Sequence, residues 1–228
     1  MEAIADMLYG SIDMSESEFE CGGINCKNYM SLKFKLIATV LFSLIYIYFI
    51  KRNFSNLQIN EDTIQNPSFI EKIFGWSCIA VAIYTFYLKI FISKAGIYMI
   101  NHCHILNLLQ ASCLLKRNTK TMKIINIITS NALFCGWTAI FFPSITGLTP
   151  MELFLFYLEH FQIALINPII IFIFGRYNDD KTFSFNNQIF SYCFFGIYQR
   201  LVLYPISEIT WINLNFSLCV NLSKYVNY

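Results

Sequence analysis

The chain has 228 residues and a formal charge of +2, and its composition is 56% hydrophobic, 18% aromatic and 13% charged. Soluble proteins have about 25% charged residues, so this composition excludes an ordinary soluble domain and indicates an integral membrane protein. The small net charge also argues against a nucleic-acid partner, which a strongly basic surface would attract. We therefore expect an all-α, polytopic transmembrane helix bundle of six to seven spans.

The N-terminal segment, residues 1–35, is polar and acidic, and we expect it to lie on the lumenal side. It lacks the basic and then apolar pattern of a cleaved signal peptide, so the first span is expected to direct insertion into the membrane. Cys21 and Cys26 are too isolated for a metal site. The pair predicts either a small lumenal disulfide or two free thiols.

Seven apolar or partly apolar segments follow, and they predict the helices of the bundle. They are Leu36–Ile50, Ile73–Ile92, Ala95–Leu115, Ile124–Phe142, Met151–Gly175, Phe183–Pro205 and Ser207–Leu222. The last segment carries several polar residues, so we expect it to pack inside the bundle or to be re-entrant. The bundle thus occupies residues 36–222, and residues 223–228 form a short C-terminal tail.

The basic residues between these segments predict the orientation of the bundle. With the N-terminus outside, the inner loops and tail contain Lys51, Arg52, Lys72, Lys116, Arg117, Lys120, Lys123, Arg176, Lys181 and Lys224. The outer segments then contain only Lys27, Lys33, Lys35 and Lys94. Because basic residues concentrate on the cytoplasmic side, the N-terminus is predicted to be outside, or lumenal.

Polar side chains in the third segment mark a candidate active face. Cys103, Asn107 and Gln110 stand at i, i+4 and i+7, so they share one side of a helix. His102 and His104 flank the cysteine. A membrane span tolerates such groups only where they face the protein interior or a wet cavity. We therefore predict that this stripe lines a polar chamber.

The fifth segment carries a second polar group, Glu159-His160, and a proline in Asn167-Pro168. Cys103 and His160 each lie roughly 12 Å from the outer end of their segments at 1.5 Å per residue, so we expect both at one depth. Pro168 has no N–H, so it frees a carbonyl one turn back that a cavity or a neighbouring helix must satisfy. These features place the polar chamber in the outer half of the bundle.

Several stretches resemble one known family, in the same order along nearly the whole chain. They are Leu8-Tyr9-Gly10-Ser11-Ile12-Asp13, Cys26, Tyr98 to His104 with Gln110, Phe142-Pro143, Glu159-His160, and Pro205-Ile206-Ser207 through Asn213-Leu214-Asn215 to Leu218-Cys219. With these stretches the chain resembles the transmembrane protein 164 family. Their spread makes the resemblance more specific than any single motif.

The resemblance implies a function and assigns residues to it. Members of the family are multi-span membrane proteins implicated as acyltransferases that place polyunsaturated acyl chains on ether-linked lysophospholipids. The proposed nucleophile is the cysteine of an Asn-Pro-Cys-His motif, which corresponds to Cys103, and the motif histidine corresponds to His104. The histidine of the fifth helix corresponds to His160. In this chain His102 stands where the motif has proline.

The resulting hypothesis is acyl transfer through an acyl-cysteine intermediate. A cysteine is a useful nucleophile only as the thiolate, so Cys103 needs a base. His160 on another helix is the better candidate, because His104 points about 100° away from Cys103 on the same helix. The candidate oxyanion donors and substrate contacts are Asn107, Gln110 and Asn213.

The hypothesis makes the membrane and its phospholipid and lysophospholipid substrates the partners of the protein, and it requires no cofactor. We expect an endomembrane location, in the endoplasmic reticulum or the Golgi. The histidines, Cys103 and Glu159 are donor types that zinc binds, but histidines two residues apart on a helix point in different directions. No metal site is therefore predicted.

A non-enzymatic receptor or transporter with a polar intramembrane ligand site is the alternative. Transport would favour paired broken helices and internal repeats, whereas the sequence has breaks only at Pro168 and Pro205 and no clear repeat. A Cys103→Ala protein that keeps its function would favour this alternative over covalent catalysis.

Overall fold

The computed structural model describes residues 2–10, 12, 22–55, 57, 64–143, 148–174, 176–177 and 182–218. Within these ranges the regular elements are helices, and the β-contact is an isolated bridge between Gly22 and Ile212. The prediction of an all-α fold is therefore confirmed.

The described helices follow one another along the chain with short connections. The α-helices are α1 (Glu2–Tyr9), α2 (Ile24–Asn28), α3 (Leu32–Phe54), α4 (Phe69–Tyr87), α5 (His102–Leu115), α6 (Lys120–Ser130), α7 (Leu133–Phe141), α8 (Pro150–Phe161), α9 (Asn167–Phe174), α10 (Phe185–Tyr198) and α11 (Tyr204–Thr210). The 3₁₀ turns are Gly96–Ile100 and Leu214–Phe216, and the π turns are Leu88–Ile92, Gln162–Ile166 and Gln199–Leu203. Each π turn continues directly from an α-helix, so it widens that helix without ending it.

Four of the described helical segments are long and apolar enough to cross a membrane. They are Leu32–Phe54, Phe69–Ile92, Lys120–Phe141 and Pro150–Phe174. They correspond to the first, second, fourth and fifth predicted spans, and they support an integral membrane protein. The third and sixth predicted spans correspond to α5 and to α10 with its continuation, which are not among these four.

The third predicted span is divided into two parts. Gly96–Ile100 forms a 3₁₀ turn, Asn101 is extended with φ −62° and ψ 153°, and α5 begins only at His102. The 14 residues of α5 cover about 21 Å at 1.5 Å per residue, which is shorter than the hydrocarbon core of about 30 Å. The start of the predicted polar stripe therefore stands at a helix end and not in the middle of a span.

The last predicted segment is not a separate helix within the described residues. α11 ends at Thr210, and Trp211 then adopts a left-handed conformation with φ 64°. The chain folds back, so that Ile212 bridges to Gly22 and Leu214 is buried. The expectation that this polar segment packs inside the protein is met for its described part.

Helix α5 lies at the centre of the bundle, where it contacts α4, α6, α7, α8 and α9. Leu106 of α5 and Ile163 of the following π turn are fully buried in one apolar cluster. α7 approaches this turn closely, since a Cβ at Gly136 would lie 2.9 Å from the Ala164 Cβ. A side chain larger than hydrogen at position 136 would therefore push α7 away from the helix that carries Glu159.

Two cross-links hold the N-terminal part of the chain against α11. Cys26 is disulfide-bonded and packs against Tyr204 and Leu218. Lys35 of α3 is 4% exposed and forms an ion pair with Glu208 of α11 at 3.1 Å. Cys21, which the sequence offered as a disulfide partner, lies outside the described residues. The start of α3 is thus fixed to the end of the α10–α11 segment.

A buried ion pair closes the C-terminal end of α5. Arg176 Nε donates to Glu71 Oε1 at 2.7 Å, and both side chains are almost fully buried. The other guanidinium groups donate to the carbonyls of Cys113 and Lys116 at 2.8 and 2.9 Å, where the helix leaves carbonyls without partners. Tyr177 also donates to the Cys113 carbonyl at 2.9 Å. Burial raises the pKa of Tyr177, so its phenol remains a donor.

Replacing Glu71 by glutamine is expected to destabilise the protein by about 3–5 kcal/mol, because Arg176 would keep a buried charge without a counter-ion. The free energy of unfolding in mixed detergent micelles measures the effect. Lys94→Gln is the matched control, since it breaks the ion pair with Asp6, whose side chains are 47% and 52% exposed, and a surface pair contributes about 0–1 kcal/mol. Equal effects of the two substitutions would contradict a structural role of the buried pair.

Candidate functional site

Cys103 stands in the first turn of α5. The N-cap of this helix is Asn101, whose side chain makes no capping hydrogen bond. The first N–H groups of a helix have no intrahelical acceptor, and the helix dipole adds a partial positive charge there. The backbone N–H of His104 donates to Cys103 Sγ. The cysteine therefore lies where the helix favours a negative charge.

The surroundings of Cys103 are apolar on one side and charged on the other. The side chain is half-buried and packs against the core cluster that contains Ile163, as does Cys135 of α7. It also interacts electrostatically with Glu159 and Lys89. The thiol thus lies at the junction of α4, α5, α7 and α8.

His104 forms a buried hydrogen bond with Glu159. Its Nδ1 lies 2.9 Å from Glu159 Oε1, and the two residues are 6% and 1% exposed. Because a carboxylate accepts, Nδ1 carries the proton, and in the neutral ring Nε2 is then the basic nitrogen. The pair joins the first turn of α5 to α8.

His160 lies next to Glu159 on α8 but has different partners. Its Nδ1 donates to the Phe156 carbonyl of its own helix at 2.6 Å, and the two rings pack with centroids 4.2 Å apart. The residue is 3% exposed and interacts electrostatically with Glu159 and His104. The structure therefore brings both histidines of the sequence hypothesis to one carboxylate.

His102, at the position of the motif proline, is held by other elements. Its Nε2 donates to the Phe195 carbonyl at 3.3 Å, and its Nδ1 accepts from Asn215 Nδ2 at 2.7 Å. The ring also contacts Tyr198, with centroids 5.2 Å apart. Because both ring nitrogens have protein partners, His102 connects α5 to α10 and to the segment after α11 and is not free to act as a base.

Asn107 and Gln110 are buried and link α5 to its neighbours. Gln110 Nε2 donates to the Ile163 carbonyl at 3.0 Å, and its Oε1 accepts from Asn167 Nδ2 at 2.9 Å. Asn107 Nδ2 donates to the Cys78 carbonyl at 3.4 Å. These two predicted substrate contacts therefore already hold α4, α8 and α9 against the central helix.

Gln110 also shows how the proline of the fifth span is accommodated. In the π turn, the Asn167 N–H donates to the Gln162 carbonyl, five residues back. The next donor in this pattern would be residue 168, but Pro168 has no N–H, so the Ile163 carbonyl is left free. Gln110 donates to that carbonyl. The expectation that a neighbouring helix satisfies the freed carbonyl is met.

Asn213, the third predicted substrate contact, lies in the turn after α11. Its Oδ1 accepts from the Leu218 N–H at 3.0 Å, and the residue is 3% exposed. It therefore braces the chain where it folds back towards Gly22.

An open groove of about 620 Å³ runs along the outer side of α8. It is lined by Pro150, Leu153, Phe154, Tyr157, Leu158, Phe161 and Ile166. This lining is almost entirely apolar, and Glu159 lies on the opposite, buried side of the helix. In the described ranges, no group of three or more His, Cys, Asp and Glu side chains is arranged to hold a metal ion.

Glu159 is the residue of this site that sequence reasoning left without a role. A signal was present, because a carboxylate in an apolar span is costly and marks a functional position by default. Its partner could not be identified from spacing, since 55 residues separate Glu159 from His104 along the chain.

The comparison with known proteins covers all of these elements except α1. The model of the TMEM164 family matches residues 27–227, and this range includes α5, α8 and the residues of the site. No solved structure matches the chain.

Replacing His102 by alanine is expected to loosen residues 211–218, because Asn215 would lose its hydrogen-bond acceptor. Hydrogen–deuterium exchange should be faster in that segment, with a loss of protection of about 0.5–1.5 kcal/mol. Asn215→Ala should give the same pattern, and the double variant should add little because the two residues share one bond. Unchanged exchange in His102→Ala would contradict this role.

Proposed function

Since the chain belongs to the TMEM164 family, we propose that it is a membrane acyltransferase. The proposed reaction moves a polyunsaturated acyl chain onto an ether-linked lysophospholipid through an acyl intermediate on Cys103. The observation that supports it most directly is the position of Cys103, in the first turn of α5 beside the buried hydrogen bond between His104 and Glu159.

These three groups match what covalent acyl transfer requires. A cysteine nucleophile needs a base, and the base needs a third group that orients it. The bond from Glu159 to Nδ1 holds the His104 ring in one orientation and one tautomer. It also stabilises the imidazolium that forms when Nε2 takes a proton.

The first step forms the acyl intermediate. His104 Nε2 takes the proton of the Cys103 thiol, and the sulfur attacks the acyl carbonyl of the donor. A carbon–sulfur bond forms, the bond between the carbonyl carbon and the leaving group breaks, and the leaving group receives the proton from His104. Cys103 is left as a thioester.

The second step transfers the chain. His104 takes the proton of the lysophospholipid hydroxyl, and the oxygen attacks the thioester carbonyl. A new ester bond forms, the carbon–sulfur bond breaks, and the Cys103 sulfur receives the proton back. Both steps use the same base, and the enzyme returns to its starting state.

We assign the oxyanion donors to the first turn of α5. In each step the carbonyl oxygen becomes an oxyanion beside Cys103, where the N–H groups of a helix start lack intrahelical acceptors. The amides of Asn107 and Gln110, which the sequence suggested for this role, already donate to the carbonyls of Cys78 and Ile163. Backbone donors are therefore the better assignment.

We assign the base to His104 and a supporting role at the site to His160. His104 is hydrogen-bonded to a carboxylate, whereas His160 donates its Nδ1 proton to the carbonyl of Phe156. A carboxylate stabilises an imidazolium more strongly than a neutral carbonyl does, since the bond is then charge-assisted. This assignment reverses the preference that helix geometry alone suggested.

The proposal includes six to seven spans with the N-terminus on the lumenal side of an endomembrane. α5 and the α10–α11 segment would supply the spans beyond the four long apolar helices. In this orientation the end of Phe69–Ile92 and the start of Pro150–Phe174 face the lumen, together with the first turn of α5. The site would then lie in the lumenal half of the bundle.

Replacing Cys103 by alanine is expected to lower acyl transfer by at least about a thousandfold, because the acyl intermediate cannot form. Lipid mass spectrometry of cells that lack the endogenous protein measures the effect. The wild-type chain should restore polyunsaturated ether phospholipids, and Cys103→Ala should not. Cys113→Ala is the control, because it removes a fully buried thiol at the other end of the same helix.

The comparison requires equal amounts of each variant in the membrane. If Cys103→Ala restores the lipids as well as the wild-type chain does, Cys103 is not the nucleophile. If the wild-type chain restores nothing although it reaches the membrane, the acyl-transfer proposal fails. The receptor or transporter alternative then takes its place.

The pair of His104 and Glu159 is expected to act as one unit. His104→Asn should lower kcat by about a hundredfold or more, and Glu159→Gln by about tenfold to a hundredfold, because it leaves the base without its orienting partner. In the His104→Asn background, Glu159→Gln should have little further effect on kcat. His160→Asn is the comparison, and a larger loss in His160→Asn than in His104→Asn would move the base to His160.

A further inference from the structure

Lys89 differs from other basic residues inside the bundle in having no paired carboxylate. In the part of the chain that the structure describes, the Lys and Arg ion pairs within 4 Å are Lys35–Glu208, Lys94–Asp6 and Arg176–Glu71. The Lys89 ammonium lies over the ring of Tyr98, 5.8 Å from its centroid. A ring face supplies a weaker attraction than a counter-ion does. The charge of Lys89 is therefore largely uncompensated.

The carboxylates that interact electrostatically with Lys89 are already engaged elsewhere. Glu159 accepts from His104. Glu152 accepts from Ser93 Oγ at 2.6 Å, and its second oxygen caps the start of its own helix. An ionised side chain in a bundle of this kind is costly, and it is expected to serve a function. Lys89 thus retains N–H donors for an anion.

The position of Lys89 directs this charge towards the nucleophile. The residue lies on the π turn Leu88–Ile92, is half-buried, and interacts electrostatically with Cys103. Tyr98 belongs to the 3₁₀ turn that precedes α5, so the ring holds the ammonium between α4 and the start of α5. Single π turns occur frequently at functional sites.

We propose that Lys89 binds the phosphate group of the lysophospholipid acceptor and thereby places its hydroxyl at Cys103. This inference rests on the proposed function and names the chemistry that the site recognises. A phosphate oxygen is a strong acceptor for an ammonium group. The phosphates of a coenzyme A donor offer the same chemistry, and binding measurements distinguish the two sources.

The test measures equilibrium binding to the purified full chain in detergent micelles, by native mass spectrometry. The probes are a 1-O-alkyl lysophosphatidylethanolamine, the matching 1-O-alkylglycerol without phosphate, and coenzyme A. Lys89→Gln should weaken binding of the lysophospholipid about tenfold, because one charge-assisted hydrogen bond is lost. Binding of the alkylglycerol should not change, and Lys89→Arg should keep most of the affinity. Lys94→Gln is the control for a nearby positive charge and should bind as the wild-type chain does.

Three results would overturn the assignment. Equal weakening for the lysophospholipid and the alkylglycerol would show a structural effect of Lys89, and unchanged binding of both would show no contact. A loss confined to coenzyme A would assign Lys89 to the donor. Because binding does not require turnover, a Lys89-dependent lysophospholipid affinity without acyl transfer would support the phosphate site and count against the proposed function.

Discussion

A polar group inside an apolar bundle has no water to bind, so each one must find a partner on a neighbouring element. Helix α5 shows how this constraint shapes the protein. Its first turn bonds to α10 through His102 and to α8 through His104, and its middle bonds to α4 and the π turn through Asn107 and Gln110. Its last carbonyls bond to Arg176. The central helix is therefore fixed in rotation and depth by directional contacts, and apolar packing fills the space between them.

That fixation explains how a reactive cysteine can be held at a helix start. The thiol of Cys103 needs backbone N–H groups on one side and a base on the other, and small rotations of α5 would separate them. The hydrogen bond between His104 and Glu159 prevents such a rotation at the site itself, while Arg176 and Glu71 prevent it at the far end. Stability and the proposed chemistry thus depend on the same contacts.

The sequence predicted the class of fold and the segments that hold the site, because hydrophobic length and polar spacing are local properties. It could not predict that α5 begins at His102, since this boundary depends on the extended conformation of Asn101 within an apolar run. Nor could it pair His104 with Glu159 or Gln110 with the Ile163 carbonyl, because those pairs depend on how distant helices pack. The freed carbonyl at the proline was foreseeable, but the residue that satisfies it was not.

The π turn Gln162–Ile166 sets the rotational phase of the whole second half of its span. In a regular α-helix, two positions eight residues apart differ by about 80° around the axis, yet Glu159 and Asn167 are 1% and 0% exposed on the same buried side. The wider turn between them winds less per residue and brings Asn167 back into phase. Removing one residue from the turn would rotate everything beyond it by about 100° and carry Asn167 away from Gln110. What this stretch must conserve is therefore its number of residues, whereas outward positions such as Leu165, 41% exposed, are free to change in kind.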